Sequence, residues 1–340
     1  MQLVLIVPGL LATPAEALEA RRPLRALAAY SDAPRCEPRG IAAALFASLG
    51  VASDTPDAPL ALLGAGGDPG DDYVLRADPV HLAADRDTVL LVQGVDDLSE
   101  DAAGALVRML NRHFADDDLR FEALRPDAWF VRREEAADIS TTALDVALRK
   151  RLLPHLPRGR DAGRWKRWLN EIEMLLHAHD VNTTREARGA PAASGIWLSG
   201  GGRLADVPTL PSTIVVASPG RLGDLARGIA RVGRGRVTEF RANETAAQAL
   251  ARAAGPATRG EERTSFALAV LPPSQDASML DDDWLAPALG LLARREIDAL
   301  HLVSDGNGGA ATWAARPPSV WRRIASRVGA RRFEAPRADP

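Results

Sequence analysis

The chain has 340 residues, 46% of them hydrophobic and 26% charged, which is apolar material enough for the cores of about two domains. Its 42 basic and 45 acidic side chains leave a net charge of −3, and the lack of any long basic run excludes the electrostatic footprint of a nucleic-acid binder. A single cysteine, Cys36, excludes a disulfide framework or a cysteine-built zinc site within one chain, and no base stands beside it to make it a nucleophile.

From the N-terminus, QLVLIV followed by Pro8-Gly9 predicts a buried strand that runs into a turn. No basic stretch precedes this run, as it would in a secretory leader, and no apolar segment approaches membrane-spanning length. The expectation is a cytoplasmic protein that does not engage a membrane. RPLRALAAY and GIAAALFASL carry helical periodicity, and GAGGDPGDD at 64–72 reads as loop. Further strands are predicted at TVLLV (88–92), GIWLS (195–199), TIVVAS (213–218), FALAVLP (266–272) and ALHLVS (299–304). Several of these runs are continuously apolar, which predicts strands covered on both faces.

Between them, SEDAAGALVRMLNRHF, AGRWKRWLNEIEMLLHAH, GRLGDLARGIARVG and DDDWLAPALGLLARREI predict helices. This alternation predicts an α/β fold with a mainly parallel sheet. Boundaries are expected near 75 and 205. Residues 1–75 and 205–330 would then build an α/β core, 76–204 an inserted α/β subdomain, and 331–340 a flexible tail.

The helix predicted over 161–179 aligns Trp165, Trp168, Leu169, Ile172, Leu175 and Leu176 in one apolar stripe that also takes in His179. His177 falls elsewhere, on the side of Asn170 and Glu173, so the two histidines do not project together as metal ligands while the helix persists. One reading makes His179 a buried, hydrogen-bonded residue and His177 a helix-end cation. The other turns His177 and Asn170 toward a pocket.

In DVNTTREARG, Asn182, Thr183 and Thr184 suit the start of a following turn, and Arg185 and Arg188 suit an anion or the solvent. GIWLSGGG ends a strand on Gly200, Gly201 and Gly202, whose N–H groups could face an anion or simply form a turn. This is neither a dinucleotide fingerprint nor a phosphate-binding P-loop, and Ser199 lacks the setting of a nucleophile elbow.

Asp305 ends a strand, where α/β sheets place their sites, although DGNG is also a good turn. Asp276 follows another strand, and Asp281 to Asp283 read as an acidic first turn of a helix. ADPVHLAAD offers Asp78, His81 and Asp85 as an alternative metal set, though it reads more plainly as a turn entering a loop. Among the seven tryptophans, Trp165, Trp168, Trp284, Trp313 and Trp321 would serve the core or the interface to a protein partner.

The run NEIEMLLHAHDVNTTREARGAPAASGIWLSGGG resembles the hallmark segment of the RpfE-type bacterial regulatory proteins, and RADPVHLAADRDTVLL at 76–91 and LNRHF at 110–114 fit the same family. The run is also similar to archaeal-type cofactor-independent phosphoglycerate mutases, whose order of histidine, asparagine, arginine and glycines reads here as His179-Asp180-Val181-Asn182, Arg185, Gly189 and Gly200 to Gly202. GRLGDLARGIARVG at 220–233 resembles the helix that follows in those enzymes.

The resemblance implies an alkaline-phosphatase-like core with an inserted subdomain, a pair of metal ions such as Mn or Zn, and a phosphorylated serine. The sequence departs from this pattern in three places. The first strand is followed by Pro8-Gly9 in place of a metal-binding aspartate, Asp276 by Ala277-Ser278-Met279 with no histidine, and Asp305 by Gly306. The expectation is therefore a degenerate, regulatory protein without a cofactor that binds a phosphorylated small molecule or other anion through Asn170, His177, Asn182, Arg185 and the amides of Gly200 to Gly202. The alternative is an active metal-dependent phosphomutase or phosphatase drawing on Asp78, His81, Asp276 or Asp305.

Overall fold

The computed structural model describes residues 1–86, 88–254, 265–273, 279–306 and 309–317. Asp276, Trp321 and the tail expected at 331–340 lie outside the described residues. The chain divides into two compact units, one made of Met1–Asp54 with Thr209–Pro340 and the other of Thr55–Pro208.

The first unit opens with β1 (Gln2–Val7), α1 (Ala15–Ala20), α2 (Arg22–Tyr30), β2 (Arg35–Glu37) and α3 (Ile41–Ser48). The second follows with α4 (Ala58–Ala65), β3 (Tyr73–Asp85), β4 (Thr88–Gly94), α5 (Glu100–His113), β5 (Arg120–Arg125), β6 (Ala128–Arg133), α6 (Leu144–Ala147), β7 (Lys150–Arg151), α7 (Ala162–His177), α8 (Asp180–Ala187) and β8 (Gly195–Gly202). The chain then returns to the first unit with β9 (Thr213–Ala217), α9 (Arg221–Val232), β10 (Arg236–Glu239), α10 (Ala246–Ala254), β11 (Phe266–Val270), α11 (Ala286–Ala293), β12 (Ala299–Gly306) and β13 (Gly309–Ala315).

Among the described residues, the sheet of the first unit has the order β10-β9-β11-β1-β12-β13-β2. The five strands from β10 to β12 run parallel, while β13 and β2 add on antiparallel. Leu3, Val4, Leu5 and Ile6 are all fully buried, so β1 is covered on both faces, as its unbroken apolar run predicts. One face packs Leu3, Leu5, Leu300 and Leu302 against Leu24, Leu27, Leu250, Trp284 and Trp313. Asp281 and Asp282 lie in the first turn of a helical stretch, and that stretch runs directly into α11. The stretch, Met279–Leu285, is π-helical, and both carboxylate oxygens of Asp281 accept from Arg21, at 2.7 and 2.9 Å.

The second unit carries a separate antiparallel sheet, β5-β6-β3-β4-β7, with β8 also paired to β3. One face buries Leu75, Ala77, Phe121, Trp129 and Leu198 under Leu106 and Leu110 of α5 and Trp165, Trp168, Leu169, Ile172 and Leu176 of α7. The predicted stripe on α7 is thus a core stripe, and Trp284 and Trp313 are core residues as well. Ser99 starts α5 by accepting the Ala102 amide on its hydroxyl at 3.2 Å.

The expected boundary near 75 falls inside β3, and the one near 205 falls inside the 3₁₀ turn Leu204–Asp206. Strand β3 was not foreseen because R, D and H interrupt its apolar run. The inserted α/β subdomain is built on an antiparallel sheet, with β3–β4 and β5–β6 as hairpins and β3–β6, β3–β8 and β4–β7 as pairs between strands distant in the chain. Among the described residues, no helix is long and apolar enough to cross a membrane.

Candidate functional site

Parallel α/β sheets place their ligands at the carboxyl ends of the strands. In the first unit that edge joins the turn after β1 to the end of β12. Asp305 Oδ1 accepts the Gly9 amide there at 2.6 Å, and the Ser304 hydroxyl donates to the Val7 carbonyl at 2.7 Å. Gly9 sits at φ 75°, a left-handed conformation that glycine adopts without penalty. Burial pushes the Asp305 carboxyl above its ordinary range, against the lowering effect of the Gly9 N–H.

On the same unit, burial first, then Arg35 and Arg316, holds the His301 imidazole below its usual value, and its Nε2 lies 3.1 Å from Gln2 Oε1. At the end of β9, Arg227 of α9 donates to Asp224, to the Ser218 carbonyl and to Glu239, tying the helix to the ends of β9 and β10.

These residues do not fit the metal pair that the sequence resemblance implies. The turn after β1 brings no carboxylate, and Asp305 is committed to a backbone amide. Among the described residues no three His, Cys, Asp or Glu side chains come together as a metal group. The alternative set at 78–85 is also dispersed. DPVH is strand rather than turn, and alternation along β3 sends Asp78 and His81 to opposite faces. His81 Nδ1 lies 2.9 Å from the Ala192 carbonyl, Asp78 is buried against Arg76, and Asp85 is exposed at the strand end.

The residues expected to hold an anion all lie in the second unit. Asn170 and His177, seven apart on α7 and so on one side of it, are both exposed. The helix stops at His177. His179 is half-buried in an extended conformation and starts α8, its Nδ1 accepting the Val181 amide at 3.2 Å. That displaces Asn182, Thr183 and Thr184 from the helix start into α8.

Asn182 is buried and spends its amide on backbone. Nδ2 donates to the carbonyls of Leu176 and Ala193 at 2.8 and 2.9 Å, and Oδ1 accepts the Ala193 N–H at 2.8 Å. Arg185 donates to the Pro191 carbonyl at 2.8 Å and to Asp97 Oδ1 at 2.6 Å. Gly200, Gly201 and Gly202 form no loop. They end β8, where Val74 pairs with Gly202 and Arg76 with Ser199, so that one extra residue bulges out around Gly200 at φ 68°. A side chain at Gly201 would meet the Tyr73 hydroxyl at 2.4 Å, and one at Gly202 would meet Pro56 at 2.5 Å. The Tyr73 phenol is itself pushed up to about 12 by burial. Close packing accounts for these two glycines.

Sequence reasoning passed over Arg76. It lies at 2% exposure on β3, its Nη2 donating to Asp78 Oδ1 at 3.3 Å and its guanidinium stacked 5.3 Å from the centre of the Phe130 ring. Its Nε is buried without a hydrogen-bond acceptor. The signal for it was an arginine and an aspartate two apart within a strand-length apolar run, which puts both charges on one face of a sheet. Glu173 was noted only as a neighbour of His177. It lines a small crevice with His155, Leu156 and Trp197, where burial raises its carboxyl; burial, with Lys150 and Arg158, lowers His155.

No family model and no curated protein matches the sequence. Solved structures that resemble the fold include two of microbial origin. The cofactor-independent phosphoglycerate mutase of Thermoplasma acidophilum is 15% identical with a TM-score of 0.42, over 93% of this chain and 89% of that one. The PH0037 protein of Pyrococcus horikoshii is 15% identical with a TM-score of 0.47, over 93% and 87%.

Proposed function

We propose that the chain is a degenerate, non-catalytic protein of the phosphoglycerate-mutase-like, RpfE-type regulatory kind, and that it binds a phosphorylated small molecule or another anion. The observation that carries this reading is the 2.6 Å hydrogen bond from the Gly9 amide to Asp305. The sequence resemblance calls for a metal-binding aspartate after the first strand. Here that place is taken by Pro8-Gly9, and the acid from the neighbouring strand turns to satisfy the amide. The anion half of the reading is supported by the resemblance of 170–202 to the family segment and by the unclaimed donor on Arg76.

The test is metal retention. Purified full-length protein is incubated with Mn²⁺ and Zn²⁺, desalted, and weighed under native conditions, and inorganic phosphate is then titrated into the metal-free protein by calorimetry. Phosphate binding without retained metal is the expected result. Two ions kept per chain would overturn the reading in favour of the metal-dependent phosphomutase or phosphatase.

A further inference from the structure

We propose that Arg76, with the hydroxyl of Ser199 beside it, forms an oxyanion-binding site on the β3 face of the second unit. The proposal rests on the anion-binding reading above and gives it a location different from the α7–α8 residues. Arg76 is paired with Phe130 on β6 and with Ser199 on β8. Residues directly opposite across antiparallel strands share a face, so the three side chains stand together. Asp78, two residues along β3, lies on the same face and accepts from Nη2 at 3.3 Å.

The guanidinium is thus oriented from two directions, by the Asp78 carboxylate and by the Phe130 ring, while Nε reaches no acceptor. Packing does not account for a charge in this position. Apolar clusters lie on either side of it, Val74 and Phe130 with Ala61 and Leu62 of α4 on one side, and Val80, Leu91 and Trp197 with Leu144 of α6 on the other. A buried ion pair between such clusters adds little stability over apolar residues of similar size, and a buried charged donor without an acceptor is costly.

The missing component is an acceptor. A guanidinium offers only donors, in a planar fork, so its complement must bring oxygens, and with Asp78 already balancing the charge an oxyanion is held through the geometry of the fork and its hydrogen bonds. Ser199 is buried and adds a hydroxyl that can donate to the same group. The chemistry shared by all fitting ligands is an oxyanion, either the phosphate or the carboxylate end of a small molecule.

The experiment titrates full-length protein with inorganic phosphate and, separately, with acetate, by calorimetry, in wild type, Arg76→Gln and Ser199→Ala. Circular dichroism and the thermal midpoint confirm folding of each variant. Arg76→Gln is expected to weaken binding at least about tenfold and Ser199→Ala about threefold, the loss of a charge-assisted and of a neutral hydrogen bond. Phosphate as the tighter ligand assigns a phosphorylated head, and acetate as the tighter ligand a carboxylate; either supports the site. Should Arg76→Gln not fold, Ser199→Ala decides alone. Wild-type binding that is unchanged in the folded variants overturns the site and leaves the anion-binding reading standing. No binding of either ion to wild type overturns both.

Discussion

Asn182 and Ala193 are joined by two hydrogen bonds at once: the side-chain oxygen accepts the Ala193 N–H at 2.8 Å and the side-chain nitrogen donates to the Ala193 carbonyl at 2.9 Å. The asparagine thus acts as a strand of one residue, pairing the segment that leads into β8 with the end of α7. Asn182→Ala strips three backbone groups of their partner in a buried place. It is expected to cost about 2–4 kcal/mol of stability, read as a lowered midpoint in denaturant with little change of slope. A loss below about 0.5 kcal/mol would mean that water replaces the amide without cost.

Arg185 makes a second clasp over the same region, bridging Pro191 and Asp97 with a side chain only 12% exposed. Arg185→Ala should lower stability by about 1–2 kcal/mol. Phosphate affinity measured on the same variant separates two roles. An unchanged affinity leaves Arg185 a clasp, and a fall beyond the fraction unfolded would place it in the ligand set.

Gly201 packs under Tyr73 and Leu75, and a methyl there would come within 2.4 Å of the hydroxyl and 2.6 Å of a leucine methyl. Gly201→Ala is expected to destabilise by about 1–3 kcal/mol through overpacking. Gly200→Ala should cost at least as much, because its φ of 68° adds backbone strain to a collision with Asp57. Thermal denaturation of both variants tests this, and a neutral Gly200→Ala would disprove the bulge geometry.

Asp305 governs the pH dependence expected at the edge of the parallel sheet. Its carboxyl lies above the ordinary value of 3.8 in the folded chain, so folding binds its proton more tightly and ionisation works against the fold. That cost is absent below the unfolded value and grows as pH rises through the folded one. Asp305→Asn keeps an oxygen for the Gly9 amide and removes the charge. It should match wild type in acid and exceed it at neutral pH, in thermal midpoints taken across the range. A variant less stable than wild type at neutral pH would contradict the sign.

Much of the first unit was legible in the chain itself. The short, continuously apolar runs at β1, β9 and β11 read as strands covered on both faces, since a one-sided strand would alternate and a helix needs a longer run, and the helices between them carry plain 3.6-residue stripes. The stripe on α7 was legible for the same reason, down to the burial of Trp165, Trp168 and Ile172. The antiparallel unit was harder to read. In β3 the arginine, aspartate and histidine break the hydrophobic pattern, because one of its faces carries charge into the interior, and only cross-strand pairing with β6, β8 and β4 makes the run a strand.

Sequence by itself determined the class of fold and which faces of its helices are buried, because burial follows from period and period is a property of neighbouring residues. It also determined that the first strand ends in Pro8-Gly9 without a carboxylate. Tertiary structure alone decided what the polar residues do. Hydrogen bonds join positions far apart in the chain, and no spacing announces them: Gly9 to Asp305, Asn182 to Ala193, Arg185 to Asp97. Three residues that looked like ligand contacts or a metal ligand are therefore engaged with the chain's own backbone. Arg76, which no spacing singled out, is a buried cation with a donor that the described residues leave unmet.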